Sequence, residues 1–404
     1  MIRRIQAIII AVVLVVAAFS TGWPFLFYLL YLGILILGGS YVAVRLGLTD
    51  LEAGYAVSQL SGHVGDQMRV TYTLRNGSRI PKPWLEVHNP TTLPGSLPGR
   101  AISLGGRRER SWLVRVQLAR RGHFRIEPLH IRTGDPFGFF EASATVGQGV
   151  SVIVYPRLEP LPAWRLPAAS LEGSHSSPER TLQTTPLATT VRPYAPGDSM
   201  NRIHWRSTAR LGEIQVKEFE LEQTADAWII LDLQRSIQAG QGEASTTEVA
   251  IQAAASIAHK AIGENRAVGM TVNASRMAQL PADRGGRQHL KIMQLLAAVE
   301  ADGSAPLLET LVGTVGRLRR GMTAVVITAS LDPAWVRALG ALRARGVACV
   351  VVTLDPGAFE PSTDGLAAEA GAKRARALRH ALAEYELPSH VITPGRSLGE
   401  MLTR

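Results

Sequence analysis

The sequence predicts a membrane-anchored chain of several parts: an N-terminal two-helix transmembrane hairpin, an antiparallel β-sandwich, and a C-terminal doubly wound α/β domain. Three observations predict it. Ile5 to Val44 is a run of forty residues without one formal charge. Residues 51–155 alternate apolar and polar side chains with period two. After residue 226, apolar strand-like runs alternate with helical stretches. The chain has 404 residues, room for two or three domains. Its hydrophobic content of 46% excludes global disorder. With one Cys, neither an internal disulfide framework nor a Cys-rich zinc site is available.

One bilayer crossing takes about 20 apolar residues. The first run therefore fits two spans, near residues 5–22 and 25–44, inside an anchor over 1–45. Ser20-Thr21-Gly22-Trp23-Pro24 supplies the break between them. A cleaved signal peptide beginning at Arg3-Arg4 explains the first span and leaves the second without a reason. Arg3, Arg4 and Arg45 flank the spans and the intervening loop is uncharged. Positive-inside logic thus puts both ends, and the soluble domains, on the cytoplasmic side of the inner membrane.

In residues 51–155, Trp112, Val114, Val116 and Leu118 share one strand face, and Val70, Tyr72 and Leu74 another. Asn76-Gly77, Gly105-Gly106 and Asp135-Pro136 mark turns, as in a sandwich. Eight Arg between 100 and 125 oppose a single Glu109, which supplies +7 of the chain's net +10. Taken singly they read as a solvated strand face. Taken together, beside an inner-leaflet anchor, they would attract anionic lipid at about 1 kcal/mol each. Specific nucleic-acid binding ranks below that, for want of a helix-turn-helix, a finger or a stacking aromatic motif.

Residues 156–190 are rich in Pro and Ser and read as an extended linker. In the stretch that follows, Asp198 is expected to cap a helix that Gly212 stops. Arg202, Arg206 and Arg210 would then share one face, where like charges disfavour the helix by roughly 0.2–0.5 kcal/mol per pair. An anion should face them. It is either internal (Asp198, Glu213, Glu218, Glu220, Glu222) or an acidic docking partner. Ile203 and Trp205 are expected to pack inward.

Ala227–Leu233, Val268–Val272, Thr323–Thr328, Val347–Leu354 and His390–Thr393 read as strands of a mainly parallel sheet. Helices are expected over 246–262, 287–299, 305–319, 333–345 and 365–384. Cys349 sits in an apolar strand and reads as core. Ligands of such sheets gather beyond the strands' carboxyl ends, where Asp232, Gln234 and Ser236 meet Ser330 and Asp332. Their oxygens suit a hard cation such as magnesium. An Asp232–Asp332 carboxylate pair would instead suit a hydrolase, but no Walker A, His-Glu-x-x-His or Gly-x-Ser-x-Gly pattern accompanies it.

The pattern Arg192, Tyr194, Pro196, Gly197, Asp198, Ile203, Trp205, Ala209 and Arg210, with Val216-Lys217 and Phe219-Glu220, resembles the bacterial and archaeal membrane family called domain of unknown function fifty-eight. Arg120-Arg121-Gly122-His123-Phe124, Asp135-Pro136-Phe137-Gly138 and Val154-Tyr155-Pro156-Arg157 fit it too. The resemblance implies a von Willebrand factor A-like domain within 191–404. It also implies partnership with a MoxR-type AAA+ ATPase in envelope or complex maturation, with Arg192, Tyr194, Gly197, Asp198, Arg202, Trp205, Arg206 and Arg210 as docking residues. Related adhesion domains bind metal through Asp-x-Ser-x-Ser. Here the tract is Asp232-Leu233-Gln234-Arg235-Ser236, with Gln for the middle Ser, a cationic neighbour, and only Ser304 offered for the usual threonine. Magnesium binding is therefore disfavoured. The expectation is a non-catalytic, membrane-tethered interaction or scaffold protein, with metal-dependent ligand binding as the alternative.

Overall fold

The structure, a computed structural model, describes residues 2–95, 97–167, 190–195, 198, 200–218, 226–360 and 365–402. Contacts divide it into two units, Met1–Arg157 with Met293–Val299, and Leu158–Ile292 with Glu300–Arg404.

The first unit opens with helices α1 (Ile2–Thr21) and α2 (Pro24–Gly47). Gly22, at φ +66°, makes the turn, and Pro24 takes the first helical position, where a missing N–H costs nothing. Phe19 and Phe27 meet edge to face at 5.5 Å across the pair. α2 is long and apolar enough to cross a membrane, and the described apolar part of α1, Ile9–Thr21, is shorter.

Ten strands follow: β1 (Leu51–Val57), β2 (Ser61–His63), β3 (Gln67–Asn76), β4 (Lys82–His88), β5 (Arg100–Leu104), β6 (Glu109–Gln117), β7 (Gly122–Ile126), β8 (Leu129–Gly134), β9 (Glu141–Val146) and β10 (Val150–Tyr155). They form sheets of order β1-β3-β6, β2-β10-β7 and β5-β4-β8-β9, antiparallel except for β2 with β10. The period-two reading holds in detail. Met68, Val70, Tyr72 and Leu74 of β3 are buried, in one core with Leu85, Ile131 and Val154. Gly105-Gly106 makes the β5–β6 turn, and a Cβ on Gly106 would lie 2.1 Å from the Arg79 carbonyl, so only glycine fits.

The arginines of 100–125 do not share one face. Arg115 points outward opposite Arg69, and Arg100 lies 5.8 Å over the Trp112 ring. Arg125 pairs with Glu127, whereas Arg121 is buried and donates to the Leu296 and Val299 carbonyls. Clustering in sequence became dispersal because these residues fall on β5, β6 and β7, which belong to three different sheets, and on the turns between them.

In the second unit, β11 (Thr190–Pro193) and β12 (Gln215–Glu218) pair antiparallel around α3 (Trp205–Leu211). Then come β13 (Ala227–Asp232), α4 (Thr246–Gly263), β14 (Val268–Asn273), β15 (Met277–Asp283), α5 (Gly285–Ala298), α6 (Leu307–Thr314), β16 (Thr323–Thr328), α7 (Val336–Ala344), β17 (Ala348–Leu354), α8 (Pro356–Phe359), α9 (Gly365–Glu384), β18 (Ser389–Ile392) and α10 (Leu398–Leu402). The six-stranded sheet runs β15-β14-β13-β16-β17-β18 and is parallel except for the edge strand β15. Trp228 and Ile230 share a core with Leu311, Leu339 and Leu378 of α6, α7 and α9. Ile229 and Leu231, on the other face by alternation, are also fully buried, and α4 packs against β13, β14 and β16. The strands and helices stand close to where the periodicity put them. β15 is an addition: its polar-interrupted tract carries no buried-strand pattern.

Cys349 is core, as expected, and burial pushes its thiol up to about 12. The start of the linker departs from expectation. Leu161, Trp164 and Leu166 are buried, Ser256 Oγ accepts from Glu159 N at 3.0 Å, and Thr323 Oγ1 donates to the Pro167 carbonyl at 2.8 Å. Prolines there shape a packed strap, so 158–167 belongs to the second unit. Residues 168–189 of the expected linker lie outside the described residues.

Candidate functional site

Two places collect the residues that the sequence singled out. The first is the β11–α3–β12 hairpin. Arg192 holds Asp198 with two parallel bonds, Nη2 to Oδ1 at 2.7 Å and Nη1 to Oδ2 at 2.8 Å. Oδ2 also accepts from the Ala195 backbone N–H at 2.9 Å. A planar guanidinium and a carboxylate match in this fork geometry, which fixes the loop as well as neutralising it. Asp198 therefore pairs with Arg192, and the N-cap position of α3 is His204.

The long helix expected from Asp198 to Gly212 is broken. Met200–Arg202 is a 3₁₀ turn, Ile203 bridges Val216, and α3 starts only at Trp205. Ile203 is drawn into the sheet edge because it can be buried there with Val216. The three-arginine face is thus reduced to Arg206 and Arg210, one turn apart on α3. The side chain of Arg202, like Gly197 as a whole, lies outside what is described. Among the described residues Arg206 and Arg210 make no ion pair; of the internal acids expected to face them, Asp198 is held by Arg192, and Glu220, Glu222 and the Glu218 side chain lie outside the described residues. Gly212 stops the helix as expected, at φ +76°.

Trp205 corrects the inward-packing expectation: it is 70% exposed. The inner side of α3 is polar. Thr208 Oγ1 donates to the His204 carbonyl and accepts from Gln215 N, and Ser207 Oγ bonds His204 Nδ1 at 2.6 Å. With that side occupied, Trp205, Leu211, Met200 and Ile214 are left outward around the two arginines, with Tyr194 and Val191 also at the surface.

The second place is the carboxyl end of the parallel sheet, where β13 and β16 adjoin and the order of connection reverses. Asp232 is buried there. Its Oδ1 accepts from Asn273 Nδ2 at 3.0 Å and Gln234 N at 3.2 Å, and its Oδ2 accepts from Thr328 Oγ1 at 2.8 Å. Burial raises its pKa, and the Thr328, Asn273 and Gln234 bonds act in the opposite sense. Gln234 Nε2 donates to Ser236 Oγ at 2.8 Å. Asp332 is a local cap, accepting from Ala334 N, and Ser330 N donates to Thr328 Oγ1. The structure therefore joins Asp232 to Thr328 and Asn273, and not to Asp332.

The sequence reading missed Asn273 and Thr328, the last residues of β14 and β16. Their signal was polarity at the carboxyl end of an otherwise apolar strand. Ser304 follows Gly303, whose backbone pairs with Gln234, but the hydroxyl against Asp232 is that of Thr328. These residues do not fit a hard divalent cation. One carboxylate is present, both of its oxygens are taken by protein donors, and the Gln234 amide aims its N–H at Ser236. Among the described residues no three His, Cys, Asp or Glu side chains gather to hold a metal.

The family model "Protein of unknown function DUF58" matches residues 190–379, from the Arg192–Asp198 clasp through the sheet to α9. This stretch belongs to the DUF58 family. Two uncharacterized proteins are similar to this chain. The uncharacterized protein YeaD of Bacillus subtilis is 24% identical over 294 residues, which covers 70% of this chain and 69% of YeaD. The uncharacterized protein Rv1480 of Mycobacterium tuberculosis is 32% identical over 172 residues, 41% of this chain. That alignment spans about half (54%) of the mycobacterial protein. Among solved structures, mussel byssus proximal thread matrix protein 1 is similar at a TM-score of 0.30 and 10% identity, over 45% of this chain and 46% of its own. The CARDB domain of a Pyrococcus furiosus protein reaches 0.20 at 15% identity, over 26% of this chain and 92% of that domain. Likeness at that level carries no argument about DUF58 function.

Proposed function

We propose that this DUF58 chain is a membrane-tethered interaction protein without catalysis of its own. In this reading α1 and α2 form a two-span hairpin in the inner membrane, and both soluble units face the cytoplasm. The strand-rich unit is a sandwich, and the α/β unit is a von Willebrand factor A-type module with its metal site closed. The partner is a MoxR-type AAA+ ATPase, and the joint task is envelope or complex maturation.

One observation carries the docking part. In the segment with the most specific sequence pattern Arg192 and Asp198 are joined by two hydrogen bonds, while Trp205, Arg206 and Arg210 are left outward. Exposed Trp and Arg are the side chains that most often dominate protein interfaces. The tether is supported by α2, whose mid-helix Leu35 is 72% exposed in a charge-free run. Metal-dependent ligand binding is disfavoured, because the Asp232 carboxylate already has its donors.

The test is recovery of the MoxR-type ATPase from native membranes on the detergent-solubilised chain. Trp205→Ala and the double change Arg206→Glu, Arg210→Glu should each lower recovery at least about tenfold, as loss of an interface anchor of 1.4 kcal/mol or more implies. Unchanged recovery with unchanged thermal stability would remove the docking role.

A further inference from the structure

The β8–β9 turn has a composition that its local structure does not require. Asp135 alone organises it, accepting from Phe137 N at 3.0 Å and Phe140 N at 2.6 Å, and Gly138 supplies the left-handed residue at φ +75°. Three of the four residues after Pro136 are nonetheless phenylalanine. Phe137 is 52% exposed, and its ring stacks on Phe139 at 6.0 Å. Exposing such a ring to water forgoes burial that a core would give it.

The location of the turn within the first unit suggests what covers it. Helix α2 packs on β8 and β9 through a stripe of Ser40, Val44 and Gly47. The fit is close: a Cβ on Gly47 would stand 2.8 Å from Thr133 Cγ2. Lys82 is buried and its Nζ donates to the carbonyls of Leu46 and Thr49, closing the helix end. Phe140 then meets Tyr41 edge to face at 5.6 Å. The turn is therefore held at the level of Tyr41, one helical turn before Arg45, the first charge after the apolar run. From Pro24 to Tyr41 the helix rises about 26 Å, close to the thickness of a hydrocarbon core. Tyr41 thus falls at the level where interfacial aromatics gather.

We infer that the Asp135–Phe140 turn is a second membrane contact: Phe137 and Phe139 enter the lipid interface beside α2 and seat the strand-rich unit on the bilayer. This rests on the membrane reading of α2. The occupant is lipid because the patch is continuous with the apolar helix and sits at its interfacial depth. It needs no anionic headgroup, since the contact is made by uncharged rings.

The experiment uses the full chain in phosphatidylcholine nanodiscs, spin-labelled at one site at a time: Phe137→Cys, Leu35→Cys and Thr71→Cys. Native Cys349 is buried, and unsubstituted chain controls for its labelling. Collision with oxygen relative to a water-soluble nickel chelate reports depth. Leu35→Cys is the bilayer reference, and Thr71→Cys, on an outward strand face, is the aqueous one. The inference expects the ratio at 137 to stand well above that at 71 and below that at 35. A lipid value at 35 with an aqueous value at 137 overturns the turn contact and leaves the tether intact. An aqueous value at 35 overturns the tether and the contact with it. Phe137→Ser in unlabelled chain is the second variant: in nanodiscs it should increase hydrogen exchange in 135–140 and leave the buried strand β3 unchanged, and equal exchange in 135–140 with and without the substitution overturns the contact.

Discussion

Removing the Asp232 carboxylate tests whether the end of the sheet is a closed network or an open site. In Asp232→Ala, Thr328 Oγ1 loses the acceptor it holds at 2.8 Å and the Gln234 N–H loses the one at 3.2 Å. Asn273 keeps the Ala305 carbonyl. A buried donor left unpaired costs about 1–3 kcal/mol, so two of them give roughly 2–6 kcal/mol. For a unit of this size that is on the order of 5–15 °C in the unfolding midpoint. Asp232→Asn keeps an acceptor for Asn273 and Gln234 and should cost about 1 kcal/mol.

The pH dependence distinguishes the two variants further. Burial raises the folded pKa of Asp232 above its ordinary value of 3.8. Its contribution to stability is then fully present below 3.8 and is lost as pH rises through the folded value. Wild type should therefore lose stability over that window relative to Asp232→Asn, which has nothing to titrate. The assay is thermal unfolding of the detergent-solubilised chain from acid to neutral pH, with and without magnesium. A midpoint for Asp232→Ala within measurement error of wild type would refute the network. So would a magnesium-induced rise in wild type that Asp232→Ala abolishes.

Three further outcomes are expected. Lys82→Met should take from the Thr49 carbonyl its Lys82 donor, while the Leu46 carbonyl keeps Thr49 Oγ1 at 2.9 Å; it should lower stability by roughly 1–3 kcal/mol and speed hydrogen exchange across residues 44–50. Asp198→Asn should weaken a half-exposed pair (side chains 41% and 20% exposed), cost about 1 kcal/mol, and loosen 190–198 in hydrogen exchange; Arg192→Lys should not restore it, since an ammonium cannot make both bonds. Gly212→Ala, at φ +76°, should destabilise by about 1 kcal/mol in equilibrium unfolding.

The α/β order was readable because its strands are buried on both faces. Val325, Val326 and Ile327 announce themselves as an apolar run, and the helices between such runs repeat with the ordinary period. The hairpin motif was readable as a pattern and misread as a shape. Arg202, Arg206 and Arg210 have helical spacing, but spacing does not reveal that Ile203 leaves the helix to bridge Val216, nor that Arg192 claims Asp198 first. Trp205 was misplaced for the same reason: apolarity favours burial only if a face is free, and Thr208 already holds that side of α3. At the sheet's end, Asp232 was legible from its position, while Thr328 lies 96 residues away and its role depends on strand order. The strap at 158–167 shows that proline content marks an absence of regular structure, not an absence of packing.

The docking assignment is tested most directly by hydrogen exchange of the full chain with and without the purified MoxR-type ATPase. It predicts slowed exchange confined to the hairpin, greatest over Trp205–Leu211. Complex formation that protects another surface and leaves those residues unchanged, or no complex at all, would contradict it.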